Sequence, residues 1–206
     1  MKLFDHRPIP IFPLPSVVLF PRIVQPLHIF EPRYLEMFTE ALDNQGRIAM
    51  ALLKPGFENN YFGSPEIHSV VSVGSIITYE ARDDGTYDVV LLGDKRARVE
   101  REIGGKIYRR GALDELEETS SGSREDRANL RTNMEALLEA AIQDMKEENK
   151  GLALLQRSFA EESSFGFLVD FLAYHFIKDP EFQQSLLEEL DVSLRARSLL
   201  DALTTI

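Results

Sequence analysis

The apolar residues of this chain keep two different periods, and the change from one to the other falls at Ser120–Ser123. Before that point short runs of Ile, Val, Phe and Tyr alternate with turn formers, the pattern of half-buried strands. After it, Leu130, Met134, Leu137, Leu138, Ala141, Ile142 and Met145 recur at helical spacing. A chain that runs through strands first and helices second predicts an α+β fold rather than a layered α/β one. The expected division is a β subdomain with one short helix over residues 1–119 and a helical bundle over 120–206.

Proline narrows the first half further. Pro10, Pro13, Pro15 and Pro21 interrupt IPIFPLPSVVLFP. A proline lacks the donor a central strand needs, which predicts an edge strand at Ile9–Leu14 followed by an irregular loop. IVQPLHIF reads as a second strand. Within two residues the periodicity then changes, at Glu31-Pro32-Arg33-Tyr34. Pro32 presets φ for a first helical turn, and Glu31 before it is pushed to extended geometry. Tyr34, Leu35, Phe38, Ala41 and Leu42 then share one helical face, and Asn44-Gln45-Gly46 ends the helix. RIAMALL is the next strand. VVSVGSIITYEA and TYDVVLLGDKRARVER, joined at Asp83-Asp84-Gly85, predict a hairpin, and KIYRRGALDEL a last strand. Beyond the boundary Gly151 restarts a short helix. FGFLVDFLAYHF predicts a buried central helix with His175 as a hydrogen-bonded core residue. Asp179-Pro180 and Asp191 supply caps for two more.

Composition excludes several functions. The 206 residues contain no Cys, which removes disulfides, Cys-based zinc sites and thiol catalysis and is compatible with a reducing compartment. No signal peptide is apparent at the N-terminus, and the longest apolar stretch, Phe165–Ile177, is too short for a bilayer and contains Asp170. A cytoplasmic location is therefore expected. The formal charge is −11, yet residues 1–110 hold 14 Lys/Arg against 14 Asp/Glu, so the excess acid lies wholly in the second half. No phosphate-binding GxxxxGK[ST] loop, GxSxG elbow or HExxH pair occurs. The four histidines fall at no metal-binding spacing, and the adjacent carboxylates look like turns and solvated helix faces. Neither a catalytic residue, a metal nor a cofactor is expected.

Two features remain. One is the basic cluster Lys95, Arg96, Arg98, Arg101, Lys106, Arg109 and Arg110. On strands it reads as outward-facing charge that guards a sheet edge, or as partners for acidic residues. The alternative is an RNA-binding patch over residues 95–110. The other is the loop Lys54–Ile67, where Phe57, Tyr61 and Phe62 stand among Gly, Pro and Asn. Those aromatics either fold back as a lid on the core or present an apolar surface to a peptide. Arg33 and Tyr34 at the corner are candidates to join that surface, Tyr34 equally to join the core.

The segments IPIFPLPSVVLFPRIVQPLHIFEPRYLEMFTEAL, VGSIITYEARDDGTYDVVLLGDKRARVER and LDVSLRARSLLDAL resemble, in order and spacing, the N-terminal domain of the ATP-dependent Lon protease. Gly93–Val99 (GDKRARV) resembles that family's Gly-x-x-Arg-Ala-Arg strand. The resemblance covers nearly the whole chain. It implies a PUA-like β-barrel followed by a helical bundle, in a region that helps recognise unfolded or tagged polypeptides and helps assemble a hexamer. The family's ATPase and Ser–Lys peptidase modules have no counterpart here, so no enzyme activity is carried over. The corner at Phe30–Tyr34 resembles the stand-alone bacterial members, which implies a complete small protein. The implied partners are unfolded or extended polypeptide and a separate protease to which the chain acts as an adaptor. Neither nucleic acid nor membrane is expected.

Overall fold

The computed structural model describes residues 7–61, 63–144 and 164–204, with only the backbone of 141–144. The chain divides into two compact units, residues 1–116 and 117–206.

Among the described residues the first unit contains six strands: β1 (Ile9–Leu14), β2 (Val24–Ile29), β3 (Arg47–Leu52), β4 (Val70–Ala81), β5 (Tyr87–Glu102) and β6 (Arg109–Glu115). Helix α1 (Pro32–Asp43) lies between β2 and β3 in the chain. The sheet order is β2-β5-β4-β3-β1-β6, and β6 pairs back onto β5. Strands β5, β4, β3, β1 and β6 thus form a closed ring of pairings with β2 added outside it. Closure is possible because β5 is long. Its first half holds β2, from Tyr87 opposite Ile29 to Leu92 opposite Val24, and its second half holds β6, Ala97 opposite Glu115.

Ile9–Leu14 is therefore not an edge strand, contrary to the expectation from its prolines. The resolution lies in a staggered register. β1 pairs with β6 over residues 9–11 and with β3 over 11–14. The Leu14 carbonyl accepts from Leu53 N–H beside β3 (2.9 Å), so even-numbered residues direct their main-chain groups toward β3 and odd-numbered ones toward β6. Pro10 faces the β3 side before that pairing begins, and Pro13 faces the β6 side after that pairing has ended. Each proline occupies the one side of the strand with no partner, and no ladder bond is lost.

The true edge is β2, and it is guarded. The Ile23 carbonyl accepts from Gly93 N–H (2.9 Å), so by the same alternation Val24, Pro26 and His28 face the open side. Pro26 offers no donor there, and its carbonyl already accepts from Gln25 Nε2 (2.8 Å). An incoming strand would find the middle of this edge blocked on both counts.

Strand β3 reads as a continuous apolar run because both its faces are covered. Ala49 and Ala51 face the barrel interior with Ile9, Ile11, Val71, Val73 and Ala97, where small side chains suit a narrow ring. Ile48, Met50 and Leu52, also buried, take the opposite parity. There α1 packs through Tyr34, Met37, Phe38 and Ala41, a cleaner i, i+3, i+4, i+7 stripe than expected, since Met37 replaces the half-buried Leu35 and Leu42. At its far end Gly46 takes φ 65° and donates to the Ala41 carbonyl (2.8 Å), which closes the helix. The β4–β5 hairpin turns at Gly85 with φ 82°.

The second unit contains α2 (Arg124–Asp144), α3 (Phe165–Phe176), α4 (Pro180–Glu188) and α5 (Val192–Thr204). Leu130, Met134 and Leu138 are the buried stripe of α2. Its continuation to Met145 and the helix expected after Gly151 lie outside the described side chains. Asp179 caps α4 through Glu181 N–H (3.2 Å), and Asp191 caps α5 through Ser193 N–H (2.8 Å). Helix α3 is buried through Leu168–Ala173. Its Asp170, 2% exposed, pairs with Arg195 Nε of α5 (3.1 Å), and Arg195 is itself fully buried. Arg195 also bonds Glu118 and donates to the Glu189 carbonyl (2.7 Å), which ties the first residues of this unit to its last helix. His175 is exposed rather than core. It stands on the last turn of α3 against Phe171 (centroids 4.3 Å), and the packing lowers its pKa by disfavouring the protonated ring.

Candidate binding cleft

The corner between β2 and α1 is a structural joint and also one wall of a cleft. Glu31, in extended geometry at ψ 135°, is the N-cap residue, and Pro32 starts the helix. This sends the Glu31 and Arg33 side chains toward the loop 54–67. Glu31 accepts from Tyr61 Oη–H (2.9 Å) and from Arg33 Nε (3.0 Å). Arg33 in turn donates to the Tyr61 carbonyl (3.4 Å), and its guanidinium lies over the Tyr34 ring (4.5 Å) and the Tyr61 ring (5.2 Å). The loop is latched to the corner by one residue, Tyr61, held at both ends.

A second contact holds the loop from the opposite side. Arg109 of β6 donates to the Pro65 carbonyl (2.5 Å) and pairs with Glu102 of β5 (Nε to Oε2 2.8 Å). Between corner, loop and the β5–β6 turn lies a cleft of about 210 Å³. Tyr34, Tyr61, Tyr108 and Leu53 give it apolar surface, and Ile107 stands at the turn with 62% exposure. Arg33, Lys106, Arg109 and Arg110 line it as well, against one lining carboxylate, Glu102.

The tyrosines are neutral hydrogen-bond donors here. Burial pushes the Tyr34 pKa up to about 12, with Arg33 opposing and Glu31 adding to the effect. Tyr61 is raised by burial and then by its bond to Glu31, and Tyr108 by burial and then by Glu40. Glu40 is lowered, first by its bond to Lys106 (2.6 Å) and then by Tyr108. No histidine lines the cleft among the described residues. Stacking, apolar contact and hydrogen bonding are what this arrangement can offer a ligand.

Of the residues singled out in the sequence, Arg33, Tyr34 and Tyr61 come together around this cleft. Tyr34 is only 4% exposed and packs on Phe12 (centroids 4.5 Å), so its ring is core and only its margin faces the cleft. Phe57 does not line the cleft but backs Tyr61 at a centroid distance of 6.4 Å. Phe62 lies outside the described residues. The turn Ile103–Tyr108 was missed as a site element, although an apolar Ile107 after Gly104-Gly105 was a readable signal of an exposed tip. Glu31, half of the latch, carried no signal beyond its place at the joint.

The basic cluster does not act as one surface. Arg96 is buried beneath Phe20, with its guanidinium carbon 6.0 Å from the ring centroid. Lys95 pairs with Glu115, Lys106 with Glu40 and Arg109 with Glu102. Three of the seven, Lys95, Lys106 and Arg109, thus serve as partners for carboxylates, as one expectation had it. Among the described residues no helix is long and apolar enough to cross a membrane.

Comparison with known proteins agrees with the fold. The family described as "ATP-dependent protease La (LON) substrate-binding domain" matches residues 8–205. A Lon protease of Desulfosudis oleivorans is 23% identical over 191 residues, which cover 93% of this chain and 23% of that protein. The chain thus spans about a quarter of the length of that relative. The N-terminal domain of Mycobacterium avium complex Lon protease superposes with a TM-score of 0.73 at 19% identity, covering 95% of this chain and 97% of that one. A Lon N-terminal domain protein from Xanthomonas campestris gives 0.67 at 22% identity, covering 95% and 98%.

Proposed function

This chain belongs to the family of ATP-dependent protease La (LON) substrate-binding domains, and on that premise we propose that it is a non-enzymatic polypeptide-binding module whose contact surface is the cleft beside Glu31–Tyr34. The observation that carries the reading is the convergence there of corner, loop and β5–β6 turn on one concave, tyrosine-lined surface with Ile107 exposed at its rim. The client is an unfolded or extended polypeptide, held by side-chain contacts in the cleft rather than by strand addition, since Pro26 and Gln25 guard the open edge of β2. The accompanying role is that of an adaptor to a separate protease, with no hydrolysis of its own. The absence of Cys fits a reducing compartment such as the cytoplasm.

Affinity is on the order of micromolar, because a small site leaves little surplus after the client is ordered. The test is the affinity for a reduced, unfolded model protein of the wild type and of a Tyr61→Ser/Ile107→Ser variant, each with its thermal midpoint. The reading expects a clear loss of affinity with a modest fall in midpoint. Unchanged affinity in a folded variant would remove the cleft as the site. An RNA-binding activity would instead fall steeply as salt rises, which apolar peptide binding does not.

A further inference from the structure

The cleft has a polar floor that contact with apolar side chains leaves unexplained. Tyr108 is 4% exposed, and its hydroxyl makes no hydrogen bond of normal distance and angle among the described residues; the Glu40 carboxylate is a looser acceptor, and that bond raises the Tyr108 pKa after burial does. A buried hydroxyl in that condition is costly unless something else accepts from it. Two residues along the same strand start, Arg110 directs its guanidinium to the carbonyls of Gly104 (2.9 Å) and Ile103 (3.4 Å), both neutral acceptors. It differs in this from Arg33, Lys106 and Arg109, each of which meets a carboxylate. Glu40, on whose pKa Arg110 acts, is bonded to Lys106 and does not line the cleft, nor do Glu31 and Glu36. The cationic side chains line the cleft, and of the carboxylate partners Glu31, Glu40 and Glu102, Glu102 alone lines it with them.

We propose that this cleft holds a carboxylate of its polypeptide client, with Arg110 as the cationic partner and the Tyr108 hydroxyl as a second donor. The inference rests on the polypeptide-binding reading and adds its chemical class: an apolar segment that carries a negative charge. A chain-terminal carboxylate and a Glu or Asp side chain share that chemistry. Residues 1–110, which include every residue lining the cleft, hold 14 Lys/Arg against 14 Asp/Glu and so carry no net charge that would oppose an anion.

The experiment uses three fluorescein-labelled peptides of one apolar, aromatic-containing sequence, with a free C-terminal carboxylate, with an amidated terminus, and amidated with a central Glu. Binding to the full chain is read by anisotropy. The free-acid peptide should bind about tenfold tighter than the amide, the size of one charge-assisted hydrogen bond, and the advantage should shrink in high salt. If the central Glu restores the advantage, the source is a side chain; if it does not, the source is the terminus. Arg110→Gln should erase the advantage of the free acid over the amide. Because Arg110 also braces its own turn, Tyr108→Phe, which removes only the hydroxyl, is run beside it and should reduce the advantage severalfold. Equal binding of all three peptides by wild type would overturn the carboxylate while leaving polypeptide binding intact. Failure of every peptide to bind would remove both.

Discussion

Tyr61 shows how much one residue of an irregular loop can organise. Its hydroxyl donates to Glu31, its carbonyl accepts from Arg33 and its ring lies against the Arg33 guanidinium. Tyr61→Phe removes the first of these alone. It should lower stability by about 0.5–1.5 kcal/mol in urea titration, the net worth of one hydrogen bond, and should speed protease cleavage within residues 54–67. Gly93 is constrained differently. A Cβ there would land on the Phe20 carbonyl oxygen, and the same backbone donates to Ile23 (2.9 Å) and accepts from Arg22 N–H (2.7 Å). Gly93→Ala must push the two segments apart and should cost about 1–3 kcal/mol, seen as a lowered urea midpoint with an unchanged slope. The Gly-x-x-Arg-Ala-Arg pattern was legible in the sequence. Its reasons were not: a backbone crossing at Gly93, a buried Arg96, and Ala97 filling a narrow barrel are all long-range facts.

At the scale of elements, local chemistry was read well where the cause was local. Pro32, Gly46, Gly85, Asp179 and Asp191 all do what their positions imply, because caps and turns are decided within a few residues. Strand order is decided elsewhere. Pro10 and Pro13 signalled an edge, and the stagger of β6 against β3 along β1, which no periodicity reveals, made the same prolines harmless inside a ring. The contact between α1 and the β5–β6 turn is likewise non-local, and it is pH-sensitive. Glu40 has its pKa lowered in the folded protein, chiefly by Lys106. A depressed carboxylate contributes stability that is fully present above its unfolded value of about 4.3 and is lost as pH falls through the folded value. The amides of residues 103–108 should therefore lose protection, relative to their intrinsic exchange at each pH, as pH falls below the unfolded value of about 4.3, and in Glu40→Gln that protection should be missing already at neutral pH. Hydrogen exchange by mass spectrometry reads both.

At the scale of the molecule, two units rest on different physics. The barrel is held by a continuous apolar interior with few buried charges, whereas the helical unit closes over Asp170 and Arg195. Removing one partner of a buried pair strands the other, at about 3–5 kcal/mol. Asp170→Ala should therefore lower the stability of residues 117–206 by that order in denaturant titration, with far less effect on the barrel. The division into strands and then helices was legible from the period change alone. The cleft was half legible. Arg33, Tyr34 and Tyr61 were visible as an aromatic-basic set, while the latch from Tyr61 to Glu31 and the tie from Arg109 to Pro65 span 30 and 44 residues of sequence.

The central claim is that a polypeptide client sits between the corner, the loop and the β5–β6 turn. It is tested most directly by titrating the isotope-labelled chain with a reduced, unfolded model protein and following backbone amide resonances. The account predicts shifts concentrated at residues 31–34, 61–65 and 102–110, saturating on the order of micromolar. Shifts concentrated instead along the open edge of β2, or confined to the helices of residues 117–206, would contradict it.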